Sequence, residues 1–155
     1  MSSTAVLSPA DLLAHWQGQR RLTRRVIEAF PEEQLLTYSV GGMRPFAALA
    51  GEMLSIAVPM VREIVTGESQ PYESNAPTSK ADLLARWDAA TGELDTWFAK
   101  LQPERFGEIV TLFGQFTYPV WSQLFYAIDN ETHHRGQGYV YLRALGIEPP
   151  PFWER

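Results

Sequence analysis

"PVWSQLFYAIDNETHHRGQGYVYLRAL", residues Pro119 to Leu145, reads as one long amphipathic helix whose middle two turns are unexpectedly polar. Pro119 suits the first position of a helix, and Gly146 just beyond the run suits its C-terminal stop. One face, through Val120, Leu124, Ala127, Glu131, His134, Gly138, Tyr141 and Leu145, is apolar at both ends and polar at its centre. Asn130 and His134 are one i,i+4 step apart, so their side chains can converge on a single point. A polar group placed in a core costs free energy unless it is paired. The stretch "DNETHHRGQ" (Asp129 to Gln137) therefore predicts partners elsewhere in the chain, around a pocket. Gly136 and Gly138 fit a close approach of neighbouring helices, whereas Arg135 and Gln137 are expected to point away, towards other helices or a second subunit.

Three more helices follow from the same periodicity. Ser8 caps the first, with Pro9 at its first position and Asp11 placed for a capping box, and it runs to about Phe30. Leu12, Trp16, Val26, Ile27 and Phe30 form its stripe, interrupted by Gln19 and Thr23. The second helix spans about Arg44 to Thr66, with Phe46, Leu49, Met53, Ile56, Met60 and Ile64 on one face, Pro59 inside it as a bend, and Gly67 at its end. A third, about Ser79 to Leu101, begins with another Ser/Asp capping pair and carries Leu83, Leu84, Trp87, Leu94, Trp97, Phe98 and Leu101. The run "VTLFGQFTYP" (Val110 to Pro119) alternates weakly around a glycine, which admits a short hairpin before the last helix. The expected fold is all-α, a four-helix bundle in a single domain over residues 1–155.

Glu52 lies beside the buried stripe of the second helix and is the natural counterpart for the polar turns. Counted in turns, Glu52 and Thr23 come level if the first two helices are antiparallel neighbours. Gln19, Thr23, Glu52, Asn130 and His134 are then expected to share one buried polar patch. A lone helical histidine is more often a hydrogen-bonded core residue than a metal ligand. Glu131 and His134 have the spacing used in di-iron bundles, but the chain has no second Glu-x-x-His. His15 and His133 have less claim, His133 being one step around the helix from His134.

Composition removes several classes of function. The chain has 155 residues, a net charge of -5 and no cysteine, which leaves no disulfide, thiolate nucleophile or sulfur-bound metal. The acidic balance argues against a nucleic-acid binder, and "RRLTRR" (Arg20 to Arg25) reads as a solvated helix face. No apolar run approaches the roughly 20 residues of a membrane span, and the N-terminus lacks a basic start followed by an apolar segment. A cytoplasmic protein with no membrane contact is expected. There is no Gly-x-Ser-x-Gly, no phosphate-binding Gly-x-x-x-x-Gly-Lys and no His-Glu-x-x-His.

Three stretches taken together resemble a known family. "GGMRPFAALAGEM" (Gly41 to Met53), "NETHHRGQ" (Asn130 to Gln137) and "YLRALGIEPP" (Tyr141 to Pro150) are similar, in order and spacing over essentially the whole chain, to the DinB-like, or DinB/YfiT, family of four-helix bundles. That resemblance implies a metal held by three histidines, one on the second helix and two at i,i+4 on the last. Laid over this sequence those positions fall on Glu52, Asn130 and His134. The implied site is thus a carboxylate, an amide and one imidazole, for a divalent ion such as Zn, Ni, Mn or Fe, held more weakly than by three imidazoles.

The resemblance further implies a homodimer, to which the aromatic tail at Phe152 and Trp153 adds a surface needing cover. It also implies a stress- or DNA-damage-associated enzyme acting on a small molecule, of hydrolase or thiol-dependent transferase type. The bound ion would act as Lewis acid, or Glu52 as general base in its absence; no other catalytic residue is assigned. The rival expectation is a non-catalytic dimeric binding protein whose metal site is degraded.

Overall fold

The computed structural model describes residues 6–155; the part of the N-terminal reading that rests on Met1 to Ala5 lies outside the described residues. The long helices are α1 (Pro9–Ala29), α3 (Phe46–Thr66), α4 (Lys80–Phe98) and α5 (Val120–Ala144), with a short α2 (Glu32–Thr37) that the periodicity did not predict. Six residues are too few to show a helical stripe, and Leu35 is the only one of them that is buried.

The end signals act largely as their chemistry requires. Ser8 accepts from the Asp11 amide at 3.1 Å, and the Asp11 carboxylate accepts from the Ser8 amide in return. Ser79 accepts from the Asp82 amide, but the Asp82 carboxylate turns to the Thr78 amide instead, so only half of a capping box forms. Gly67 and Gly146 close α3 and α5 with φ of 73° and 76°, where a side chain would be strained. A 3-10 turn (Pro103–Gly107) leads into the hairpin, in which β1 (Ile109–Leu112) pairs antiparallel with β2 (Phe116–Pro119).

Packing runs around a square: α1 lies against α4 and α5, and α3 lies against α4 and α5. α1 and α3 are therefore diagonal rather than neighbours, which overturns the expected pairing of the first two long helices. The core divides into two apolar clusters. One gathers Leu12, Trp16, Ile56, Met60, Leu94, Phe98, Leu124 and Ile128, and the other Val26, Phe30, Phe46, Met53, Trp87 and Tyr141. Gln17, Gln19, Arg20 and Thr23 lie between those sets along α1, and Glu131, His134 and Arg135 along α5, so the middle turns of α5 form a polar layer between two greasy halves.

"RRLTRR" is not a uniformly solvated face. Arg20 is buried with its guanidinium 4.2 Å above the Trp87 ring, while Arg24 pairs with Glu28 and Asp88, and Arg25 with Glu154. The tail is tied back by the Tyr139 hydroxyl, which donates to the Pro150 carbonyl at 2.7 Å, yet Phe152 and Trp153 stay exposed against each other. Among the described residues no helix is long and apolar enough to cross a membrane.

Candidate functional site

α5 presents two polar faces in the same turns, one to each neighbour. Towards α1, the Thr23 hydroxyl donates to Glu131 Oε1 at 2.6 Å, and the Trp16 indole N–H reaches Glu131 Oε2 at 3.3 Å. Arg135 donates to Thr23 Oγ1, to the Gln19 carbonyl and, at 2.5 Å, to Gln19 Oε1. Burial pushes the Glu131 carboxyl up, against the opposing pull of Arg20, Thr23, Arg135 and Trp16. Arg135 points away from His134 to a neighbouring helix, as expected, and completes this buried set, while Gln137, expected to point away with it, turns to His134; Glu131 serves α1 and takes no part in a cluster with His134.

Towards α3, Glu52 Oε1 accepts from Asn130 Nδ2 at 3.0 Å and lies 3.0 Å from His134 Nε2. Glu52 Oε2 takes the Arg44 guanidinium at 2.5 Å. His134 Nδ1 lies 2.7 Å from Gln137 Oε1, and the Gln137 amide nitrogen turns to Met43 Sδ. Burial alone would raise the Glu52 carboxyl, but the hydrogen bonds from Asn130, Arg44 and His134 outweigh it and hold the group below the ordinary range.

The sequence thus named three residues that do meet, Glu52, Asn130 and His134, and two that do not join them, Gln19 and Thr23. The single patch is two patches because α1 and α3 face different sides of α5. Arg44 and Gln137 were missed as partners. The i,i+3 step from His134 to Gln137 was a legible signal; nothing in the sequence placed Arg44, which precedes α3.

Beside Glu52 is a cavity of about 380 Å³ between α3, the hairpin and the first turns of α5, walled by Ile56, Met60, Phe113, Phe116, Tyr118 and Tyr126. Gln123 fixes the hairpin above it, its amide nitrogen donating to the carbonyls of Val110 and Phe116 at 3.0 Å each. At the hairpin tip Phe113 has φ of 51°, a strained conformation for a bulky side chain, and its amide is held by the buried Glu63 carboxylate at 3.0 Å.

A family model described as the DinB family matches residues 1–155. The chain belongs to the DinB family. Its relatives in sequence include YjoA of Bacillus subtilis (strain 168), 20% identical over 147 residues that cover 94% of this chain and 96% of that protein. Among solved DinB-like structures, one from Bacillus cereus ATCC 10987 superposes with a TM-score of 0.75 at 18% identity, covering 92% of this chain and 95% of that one. The YjoA structure gives 0.74 at 19%, covering 93% and 98%. A mutant of the mycothiol-dependent maleylpyruvate isomerase gives 0.65 at 15%, covering 90% of this chain and 68% of that one. At these identities the likeness establishes the shared all-α fold; in this chain a small hairpin precedes the last helix.

The donor set at Glu52 fits a divalent ion poorly. Asn130 turns its N–H, not its carbonyl oxygen, towards the carboxylate, and its Oδ1 is buried without a partner among the described residues. Arg44 already places a positive charge on the other carboxylate oxygen, where it opposes a dication. Among the described residues no three His, Cys, Asp or Glu side chains gather into a metal-binding group.

Proposed function

We propose that the chain is a small-molecule-binding member of the DinB family, in which the position that the family resemblance gives to a metal is held by a closed hydrogen-bonded set around Glu52. The observation that carries this is the use of both Glu52 oxygens, Oε1 by Asn130 and His134 and Oε2 by Arg44, on the wall of a 380 Å³ cavity. Such a volume is in the range of small-molecule sites, about 300–1,000 Å³.

The test is elemental analysis of protein purified without a nickel column, with melting curves in added Zn, Mn, Fe or Ni. Well under one ion per chain and an unmoved melting temperature are expected. A stoichiometric ion that Glu52→Ala and His134→Ala both lose would overturn the proposal and restore the reading of Glu52, Asn130 and His134 as ligands.

An enzymatic reading draws support from the fold shared with the maleylpyruvate isomerase, a mycothiol-dependent enzyme. In this chain Glu52 would be its general base, and a carboxyl held below its ordinary range is a weak one at neutral pH. Binding is therefore the reading the site favours. We further propose a homodimer that covers Phe152 and Trp153; light scattering at the mass of one chain would refute it.

A further inference from the structure

We infer that the cavity beside Glu52 takes a flat aromatic molecule carrying an O–H or N–H donor, and rejects its anionic counterparts. This rests on the small-molecule reading above and names the ligand class. The walls supply the first half of the argument. Phe113, Phe116, Tyr118 and Tyr126 line the space with Tyr72, whose ring meets Phe113 edge-on at 5.9 Å. Phe116, Tyr118, Tyr126 and Tyr72 are each about half exposed, between 46% and 57%. Folding alone gives little reason to gather so many incompletely buried aromatic rings in one place, and such a patch marks a binding surface. Phe113 is held there against its backbone preference, through the amide that Glu63 accepts. Glu63 also accepts from the Gln70 amide at 3.3 Å, so one carboxylate positions both the hairpin tip and the loop that brings Tyr72 over the cavity.

The polar groups supply the second half. Two largely buried polar side chains reach the cavity, and each has an oxygen to offer. Glu52 Oε2 accepts only the Arg44 guanidinium, which leaves room for a second donor on a carboxylate oxygen. Gln123 has its amide nitrogen fixed on two strand carbonyls, so its Oε1 is an acceptor with no partner among the described residues. No lysine, arginine or histidine lines the space, and the nearby Arg44 is already paired with Glu52, so an acid, phosphate or sulfonate would meet a carboxylate with no unpaired cation to receive it. A donor on an aromatic body satisfies both halves: the ring packs on rings, and the O–H or N–H meets the oxygens.

The test compares 2-naphthol, 2-methoxynaphthalene and 2-naphthoate on the full-length protein, by calorimetry at pH 7. These share one ring system and differ in carrying a donor, a methylated oxygen or a negative charge. Binding of 2-naphthol at least about tenfold tighter than of the ether is expected, with no measurable binding of the acid, because a buried acceptor left unpaired costs about that factor. Tyr126→Leu, at a half-exposed position that leaves the core intact, should weaken 2-naphthol several-fold, and Glu52→Gln should narrow its advantage over the ether. If the ether binds as well as 2-naphthol, or the acid binds best, the donor assignment falls while the small-molecule reading stands. If none of the three binds, both fall. The wild-type comparison decides the matter even where a variant fails to fold.

Discussion

Replacing Gly138 by alanine puts a methyl group into the most crowded contact on α5, while the same change at Gly136, two residues away, meets open space. A Cβ at 138 would lie 2.6 Å from Phe46 Cε2, 2.8 Å from Cδ2 and 3.0 Å from Cζ. Phe46 cannot swing clear, because it is fully buried and stacked on Phe30 with ring centres 5.0 Å apart. Forcing a methyl into a packed core costs about 1–3 kcal/mol. Alanine gains about 1 kcal/mol over glycine in a helix interior. With contacts so far inside the ordinary carbon–carbon distance of about 3.5–4.0 Å, the cost lies at the upper end, and Gly138→Ala should lose about 1–2 kcal/mol net. At Gly136, which is exposed with nothing within 4 Å of a built Cβ, only the helix gain operates and the variant should be more stable by up to about 1 kcal/mol. Urea unfolding followed by far-ultraviolet circular dichroism, with equal m-values for the three proteins, measures the gap directly. Melting temperatures should diverge accordingly, by about 2–4 °C per kcal/mol for a chain of this size. Shifts of the same sign, or a Gly138→Ala protein as stable as the parent, would refute the close approach of α3 and α5.

Three further outcomes follow from the buried polar groups. Burial raises the Glu131 carboxyl, so the folded state holds its proton more tightly than the unfolded one; this contribution is complete below the unfolded value near 4.5 and is lost as pH rises through the folded one. Glu131→Gln keeps the oxygen facing Thr23 and does not titrate, so its stability relative to the parent should climb between pH 4 and 8, and a flat or falling difference in urea midpoints would refute the assignment. Arg20→Lys should cost about 1–3 kcal/mol in urea unfolding, because an ammonium cannot both cover the Trp87 ring and reach Thr91 Oγ1 and the Trp87 carbonyl. Glu63→Ala removes the acceptor shared by the Gln70 and Phe113 amides, so hydrogen exchange at those two should quicken at least about tenfold while amides in the middle of α1 hold their rates; unchanged exchange would show that the carboxylate does not pin the cavity mouth.

The glycine pair also shows how far periodicity carries. From the sequence both Gly136 and Gly138 read as positions of close helix approach, and only Gly138 is one. The two lie about 200° apart around the helix axis, at roughly 100° per residue, so both cannot face the same neighbour, and the neighbour's position is not written in the helix. The same limit separated Gln19 and Thr23 from Glu52. Counting turns placed them level along their helices, but level residues meet only on adjacent helices.

By itself the sequence determined the four long helices, their caps at Ser8, Ser79, Gly67 and Gly146, the polar interruption of α5 and the convergence of Asn130 with His134, while it admitted the hairpin and, through the family motif, offered Glu52 as their partner. All of these are local: they depend on spacing along one helix, on the chemistry of a turn, or on a motif already tied to a family. Tertiary structure alone decided that α1 and α3 sit diagonally, which gives Glu131 and Arg135 to one neighbour and Asn130 and His134 to the other. It also decided that Arg44 closes the Glu52 set and that rings from the hairpin, a loop and α5 wall one cavity. The physical reason is that burial energy depends on total apolar area removed from water and is nearly indifferent to which helix supplies it, so a stripe fixes that a face is covered and leaves the covering partner to the packing of the whole bundle.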